Sequence, residues 1–252
     1  SSSVILKCLY IFIETVRLLK SPRMFTPALQ QLLTTLIYPS LEHPDCIIRG
    51  RAMKAMGIVS LLNKQYYERH FSVFFKNKQA ISSDHSIVRM EALHGIFDLL
   101  LSYEHEMINQ MKLNQRVGFV EDVVTTLFNV FDDQDNDVTM VLVQGFGKLL
   151  LHDRLSSTLL MKKIITIWFD CSIPENGELR KVIGYFLPFY AFCSVHHQNI
   201  IAEAFLSVVN HFNHNMMKLG NITIEELMYF LLKLTSLTQV APRAEGKRHI
   251  DD

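Results

Sequence analysis

The chain has 252 residues, 49% of them hydrophobic, and its 25 lysines and arginines are balanced by 25 aspartates and glutamates. That length buries a sizeable core, and 10 glycines and 7 prolines, none of the latter between Pro44 and Pro174, leave too little turn material for an all-β fold. Cys8, Cys46, Cys171 and Cys193 lie far apart with no CxxC spacing, which excludes a disulfide framework and reads as a reduced, cytosolic or nuclear chain.

The first element is the apolar run "VILKCLYIFI" at 4–13, too short to cross a bilayer and interrupted by Lys7. No basic leader or small-residue cleavage site marks it as a signal peptide. A chain that starts at Ser1 rather than methionine reads as a piece of something longer. Apolar residues recur at helical spacing nearly throughout, and the pattern predicts helices over 4–19, 25–37, 45–62, 65–77, 84–102, 117–131, 137–152, 157–170, 176–194, 198–212 and 223–237. Pro22 and Pro39 are expected to close the first two, "SSD" at 82–84 to cap the fifth, and Gly220-Asn221 to break the chain before the last. Pro188 must kink its helix or divide it. The end of the chain, "APRAEGKRHIDD" at 241–252, has no apolar period and is expected to be a disordered tail or linker after an array spanning 1–240.

One helix is written more than once. In "HPDCIIRGRAMKAMGIVSLLN" at 43–63, Ile47, Ile48, Arg49 and Ala52 correspond to Ile87, Val88, Arg89 and Ala92 of "SSDHSIVRMEALHGIFDLLLS" at 82–102. A third copy over 135–153 puts Gly145 in the column of Ala55 and Gly95, and a fourth over 176–192 puts Arg180 in the arginine column. Each copy follows another helix, so the unit is a helical hairpin of about 40 to 50 residues, the period of HEAT or armadillo arrays. The fold class is therefore all-α, a solenoid of stacked hairpins whose small residues let neighbouring helices approach. Arg49, Arg89 and Arg180 either tie hairpin turns together in an Asp/Arg ladder or line a partner groove; their nearness to the apolar stripes favours the ladder. Thr139 stands in that column in the third copy and interrupts it.

Little in the sequence suggests bond-making chemistry. "DDQDND" at 132–137 fails as a calcium loop, because Val138 stands where the turn needs glycine and Gln144 where a bidentate glutamate belongs; it reads as an acidic turn capping the next helix. "GFGK" at 145–148 lacks the spacing of a phosphate loop. His211 and His214, and His196-His197 in a turn, have no carboxylate or thiolate neighbours at ligand spacing, so no metal site is expected. No cysteine has a histidine-plus-carboxylate setting. No cofactor and no enzymatic activity are expected.

Charge is distributed unevenly. Residues 1–81 hold 11 Lys+Arg against 4 Asp+Glu, and residues 82–180 hold 8 against 15. The basic third could meet a polyanion, and Lys20, Arg23, Arg51, Lys54, Lys76 and Lys78 are the candidate phosphate contacts, a solvated helix face being the competing reading. Arg51 and Lys54 are the best placed if they point away from the core side of their helix.

The ordered set of segments resembles the CAP-G family, the HEAT-repeat subunits of condensin. In "LIYPSLEHPDCIIRGRAMKAMGIVSLLNKQYYERHFSVFF" at 36–75 the resemblance lies in Pro39, His43-Pro44, Met56-Gly57 and Arg69-His70-Phe71, and it continues through "IVRMEALHGIFDLL", "IITIWF" and "ELRKVIGYFLPFYAFCS" over about residues 4–237. Thr139 departs from the pattern, and residues 104–116 are short where relatives carry a long acidic insertion. The resemblance implies a non-catalytic scaffold that binds the kleisin subunit CAP-H and, with it, double-stranded DNA, in a complex whose ATPase motor subunits lie elsewhere. It implies work in chromosome condensation at mitosis, in the nucleus and on chromosomes with a cytoplasmic pool, and no membrane. An apolar groove for the kleisin is expected near the later helices. The alternative is a helical-repeat adaptor that binds protein without touching DNA.

Overall fold

The computed structural model describes the chain except for residues 22–23, 63–65, 67–68, 71–73, 75–80, 114–118, 133–134, 176, 216–217, 220 and 237–252, and describes the backbone alone at 104–113, 119–122 and 132. The expected helix at 65–77 falls largely, and the tail at 241–252 wholly, outside the described residues. Among the described residues every regular element is a helix. Helix α1 spans Ser2–Arg17 and buries Leu9, Phe12, Ile13 and Val16, spaced three and four apart, on one side. Thr26 caps α2 by accepting from the N–H of Leu29, with Pro27 in the first turn, where a missing N–H costs nothing.

Pro39 does not close α2. The helix runs from Pro27–Leu32 through a π turn, Leu33–Ile37, into Tyr38–Ser40. Proline cannot donate to the carbonyl four residues back and its ring crowds that carbonyl. The wider turn, in which the Tyr38 N–H reaches the Leu33 carbonyl, accommodates both problems without breaking the helix.

Helix α3, Cys46–Leu62, is buried over most of its circumference: Ile48, Gly50, Ala52, Met53, Ala55, Met56, Gly57, Val59 and Ser60 all lose solvent. Helix α4, Ser86–Leu113, runs well past the expected end at 102, because nothing between Ile96 and Leu113 is glycine or proline, although the apolar stripe fades there. Helix α5 is Phe119–Asn129, extended by a 3-10 turn at Val130–Asp132, and α6 is Asn136–Leu151. Asp135 caps α6 by accepting from the N–H groups of Asp137 and Val138, so the acidic turn serves as a cap. At its other end the N–H of Arg154 reaches the Leu149 carbonyl and that of Asp153 the Leu150 carbonyl, with Asp153 left-handed at φ 53°.

Helices α7, Thr158–Phe169, α8, Glu178–Cys193, α9, Val195–His214, and α10, Ile224–Leu234, complete the set. Pro188 lies inside α8 without dividing it. Ser194 caps α9 through the N–H of His197, so His196 and His197 belong to the first helical turn rather than to a loop.

The helices form two compact units, Ser1–Arg154 and Leu155–Asp252. In the first, α1 packs on α3, α3 on α4 and α4 on α6, so these four make one continuous layer, with α2 and α5 contributing to the other. In the second, α7 packs on α9, α8 and α10 both pack on α9, and α8 touches α10. This is the double-layered packing of HEAT hairpins. Glycines set how closely the layer closes. A Cβ on Gly57 would sit 3.3 Å from the Cα of Gly95, and one on Gly145 would sit 2.1 Å from the ring of Phe97. Among the described residues no helix is long and apolar enough to cross a membrane.

Candidate binding faces

The repeated arginines share one geometry. Arg49 donates to the carbonyls of His43 and Pro44 at 2.7 and 2.8 Å, in the turn that precedes its own helix. Arg89, buried, donates from Nε to the carbonyl of Ile81, and Arg180 donates to the carbonyls of Asp170 and Ile173. Each guanidinium thus gathers backbone carbonyls from the turn between the two helices of its hairpin, a fork-shaped donor meeting oxygens with no helical partner. Arg49 also reaches the next repeat: its Nε and Nη2 grip the two carboxylate oxygens of Asp84 at 3.2 and 2.6 Å. Asp84 is therefore occupied by Arg49 and by the N–H of His85. Asp45, four residues before Arg49, accepts from the N–H of Ile47. Burial pushes the Asp84 carboxyl up, but the hydrogen bonds from Arg49 and the His85 N–H hold it below its usual range. Between the second and third repeats, where Thr139 stands in the column, Ser86 donates to the carboxylate of Asp135 instead.

The outer face of the first unit's continuous layer carries charge. Arg51 and Lys54 of α3 do point away from the core, and both reach Glu91 of α4: Lys54 Nζ lies 3.1 Å and Arg51 Nη1 3.7 Å from its Oε1. The Arg51 guanidinium also sits over the ring of Tyr10, 4.7 Å from its centroid. Beside them opens a cleft of about 250 Å³, lined by Arg17, Lys54, Glu91, His94, Asp98 and Lys148 with Gly57 and Gly95 at the helix crossing. Burial, ahead of the neighbouring charges, lowers the His94 pKa. Lys20 is exposed near the end of α1, while Arg23, Lys76 and Lys78 fall outside the described residues. Arg49, Arg51 and Lys54 of the basic third are thus laid against Asp84 and Glu91 of the acidic third. Arg51 and Glu91 stand forty residues apart, in the same column of adjacent repeats, as do Arg49 and Arg89. A charge reversal within a column was the signal for this pairing.

His70 is buried between Ser60, 2.8 Å from Nδ1, and Tyr38, 2.9 Å from Nε2. A Ser–His contact has the atoms of a nucleophile and its base. Both residues are enclosed, at 0% and 1% exposure, so no substrate meets them. Among the described residues no group of three His, Cys, Asp or Glu side chains could hold a metal ion.

The second unit is different. Helix α8 buries Leu179, Ile183, Leu187, Tyr190 and Ala191 and leaves Tyr185 and Phe189 outward, one turn apart, 80% and 63% exposed. Its neighbour α10 buries Leu227, Leu231 and Leu234 and exposes Met228, Tyr229 and Leu232. Trp168 Nε1 donates to the Arg180 carbonyl, and Gly184 leaves room for its indole, so the base of α8 is fixed from within. Sequence periodicity could not single out Tyr185 and Phe189, because an aromatic at helical spacing reads as core until the burying face is known.

The family model "Nuclear condensing complex subunits, C-term domain" matches residues 7–251. Condensin complex subunit 3 of Homo sapiens is 21% identical over 95% of this chain and 25% of its own length. Its counterpart in Xenopus laevis is 24% identical over 80% of this chain and 23% of its own. The chain therefore spans about a quarter of the curated relatives it matches. In the solved S. pombe condensin Cnd3-Cnd2 subcomplex, one chain superposes with a TM-score of 0.76 at 20% identity, covering 94% of this chain and 31% of that one. That likeness establishes the fold.

Proposed function

The chain belongs to the family of nuclear condensing complex subunits, carrying their C-terminal domain, and we propose that it is a non-catalytic HEAT scaffold that binds the kleisin subunit CAP-H in chromosome condensation. The observation that carries the proposal is the exposed aromatic pair Tyr185 and Phe189 on α8, with Tyr229 on the adjoining α10. Large aromatics left in water on a rigid helix are poor for solubility and good as anchors, since each buries wide area at small cost in rotamer freedom. A kleisin segment with apolar side chains at helical or extended spacing could take such anchors. Supporting this, the solved structural neighbour is a complex of two condensin subunits, Cnd3 and Cnd2.

The same proposal gives the first unit's charged face a share in holding duplex DNA, with Lys20, Arg51 and Lys54 among the described residues and Arg23, Lys76 and Lys78 outside them. Phosphate contacts of this kind would act together with the kleisin, and the ATPase motor subunits would supply the energy from elsewhere in the complex. The scaffold would work on chromosomes in the nucleus, drawing on a cytoplasmic pool. One observation favours the adaptor reading without DNA: Arg51 and Lys54 are both engaged by Glu91. A mobility assay on duplex DNA at low and moderate salt, with and without CAP-H, separates the two. The proposal expects a salt-sensitive shift that CAP-H strengthens; no shift under any condition leaves the protein-binding adaptor.

A further inference from the structure

Arg51 and Lys54 are half-buried and share a single carboxylate, which offsets one of their two charges. One carboxylate oxygen of Glu91 faces both cations, the Arg51 guanidinium is held against Tyr10, and Glu91 is the most enclosed of the three charged groups, with 16% of its side chain exposed against 31% and 28%. Asp98 lines the same cleft from the same helix two turns on, yet forms none of these contacts. From this arrangement we infer that Glu91 is a built-in competitor for polyanion at this face, a carboxylate that holds the two cations in place and must be displaced before phosphate can take them. The inference rests on the DNA-binding reading given above and assigns its regulation to one residue.

The physics is a substitution. A phosphate oxygen approaching Lys54 or Arg51 meets the Glu91 carboxylate as a like charge, and gains the cations only by taking over the carboxylate's contacts. Both interactions are screened by salt, but the polyanion also releases condensed counterions, so dilute salt favours the phosphate and physiological salt the carboxylate. Binding at this face therefore falls less steeply with ionic strength than at a free basic patch, because salt loosens the competing ion pairs as well as the phosphate contacts. A partner that contributes its own cations, or that draws Glu91 away, moves the threshold upward.

Anisotropy of a short labelled duplex, titrated with the chain from about 50 to about 200 mM salt, tests this. Glu91→Gln keeps the side chain's shape and removes its charge. The inference predicts about fivefold tighter binding at the lower salt, a smaller gain at the higher salt, and so a salt slope steeper by up to about one phosphate equivalent. Asp98→Asn, which removes an equal charge from the same cleft, should change affinity less than about twofold. In an Arg51→Ala/Lys54→Ala background the gain from Glu91→Gln should vanish. Circular dichroism on each variant confirms that the helices persist. A gain equal to that of Asp98→Asn, or one that survives without Arg51 and Lys54, overturns the inference while leaving the DNA reading in place. Duplex binding by wild type that ignores Arg51→Ala/Lys54→Ala overturns the DNA role of these residues. Binding by Glu91→Gln where wild type shows none supports the competitor; binding by neither removes both.

Discussion

His70 is the clearest case of a single side chain whose environment sets a measurable property. Burial first, and the charge of Arg69 second, push its pKa from 6.5 down to about 4. The neutral ring has one donor and one acceptor, which the hydroxyls of Ser60 and Tyr38 complement. The unfolded chain takes up a proton near pH 6.5 and the folded chain does not until near pH 4, so the group's stability contribution is complete above 6.5 and is lost as pH falls through that window. The loss should amount to about 3 kcal/mol. Urea unfolding at pH near 7 and near 4.5 measures it, and a His70→Gln variant should flatten the dependence. Arg49 offers a second test. Arg49→Ala strands the Asp84 carboxylate and two turn carbonyls together, and should cost about 2 kcal/mol in denaturant unfolding. Arg49→Lys should recover less than half of that, because an ammonium cannot hold four oxygens in a plane.

At the scale of the element, the helices owe their closeness to missing side chains. Gly145 faces the ring of Phe97, itself buried and packed edge-on against Phe146 at 5.1 Å between centroids. An alanine there must push that ring aside in a filled core. Gly145→Ala should therefore destabilise by about 2 kcal/mol, although alanine is the better helix former, and thermal unfolding followed by circular dichroism reads the sign directly. At α10, Thr223 and Glu226 form a reciprocal capping box, each side chain meeting the other's backbone N–H. Thr223→Ala should cost about 1 kcal/mol and fray the helix that presents Tyr229. These elements also show what a sequence makes legible. Among the described residues apolar spacing located the long helices, and the column holding Gly95 and Gly145 marked where they close up, because both follow from local periodicity. The π turn before Pro39 and the long run of α4 were missed: a proline announces a disturbance but not whether the helix absorbs it, and a polar helix carries no stripe. Pairing across repeats, Arg49 with Asp84 and Arg51 with Glu91, needed the stacking register, which only the alignment of one repeat on the next supplies.

For the whole molecule, each unit offers one candidate face, a charged cluster on α3 and α4 in the first and the outward aromatics of α8 and α10 in the second. Part of the charge imbalance along the chain is met within the fold, since Asp84 and Glu91 of residues 82–180 face Arg49, Arg51 and Lys54 of residues 1–81. The later helices α8 and α10 expose aromatics that periodicity alone could not separate from core. Kleisin binding is the claim on which the functional account turns. Isothermal titration of purified CAP-H into the chain and into a Tyr185→Ala/Phe189→Ala variant, with circular dichroism to confirm equal folding, tests it most directly. The account predicts binding by the wild-type chain and a loss of about thirtyfold or more in the variant, as expected when an aromatic anchor is truncated. Equal affinity in both, or no heat of binding in either, would contradict it.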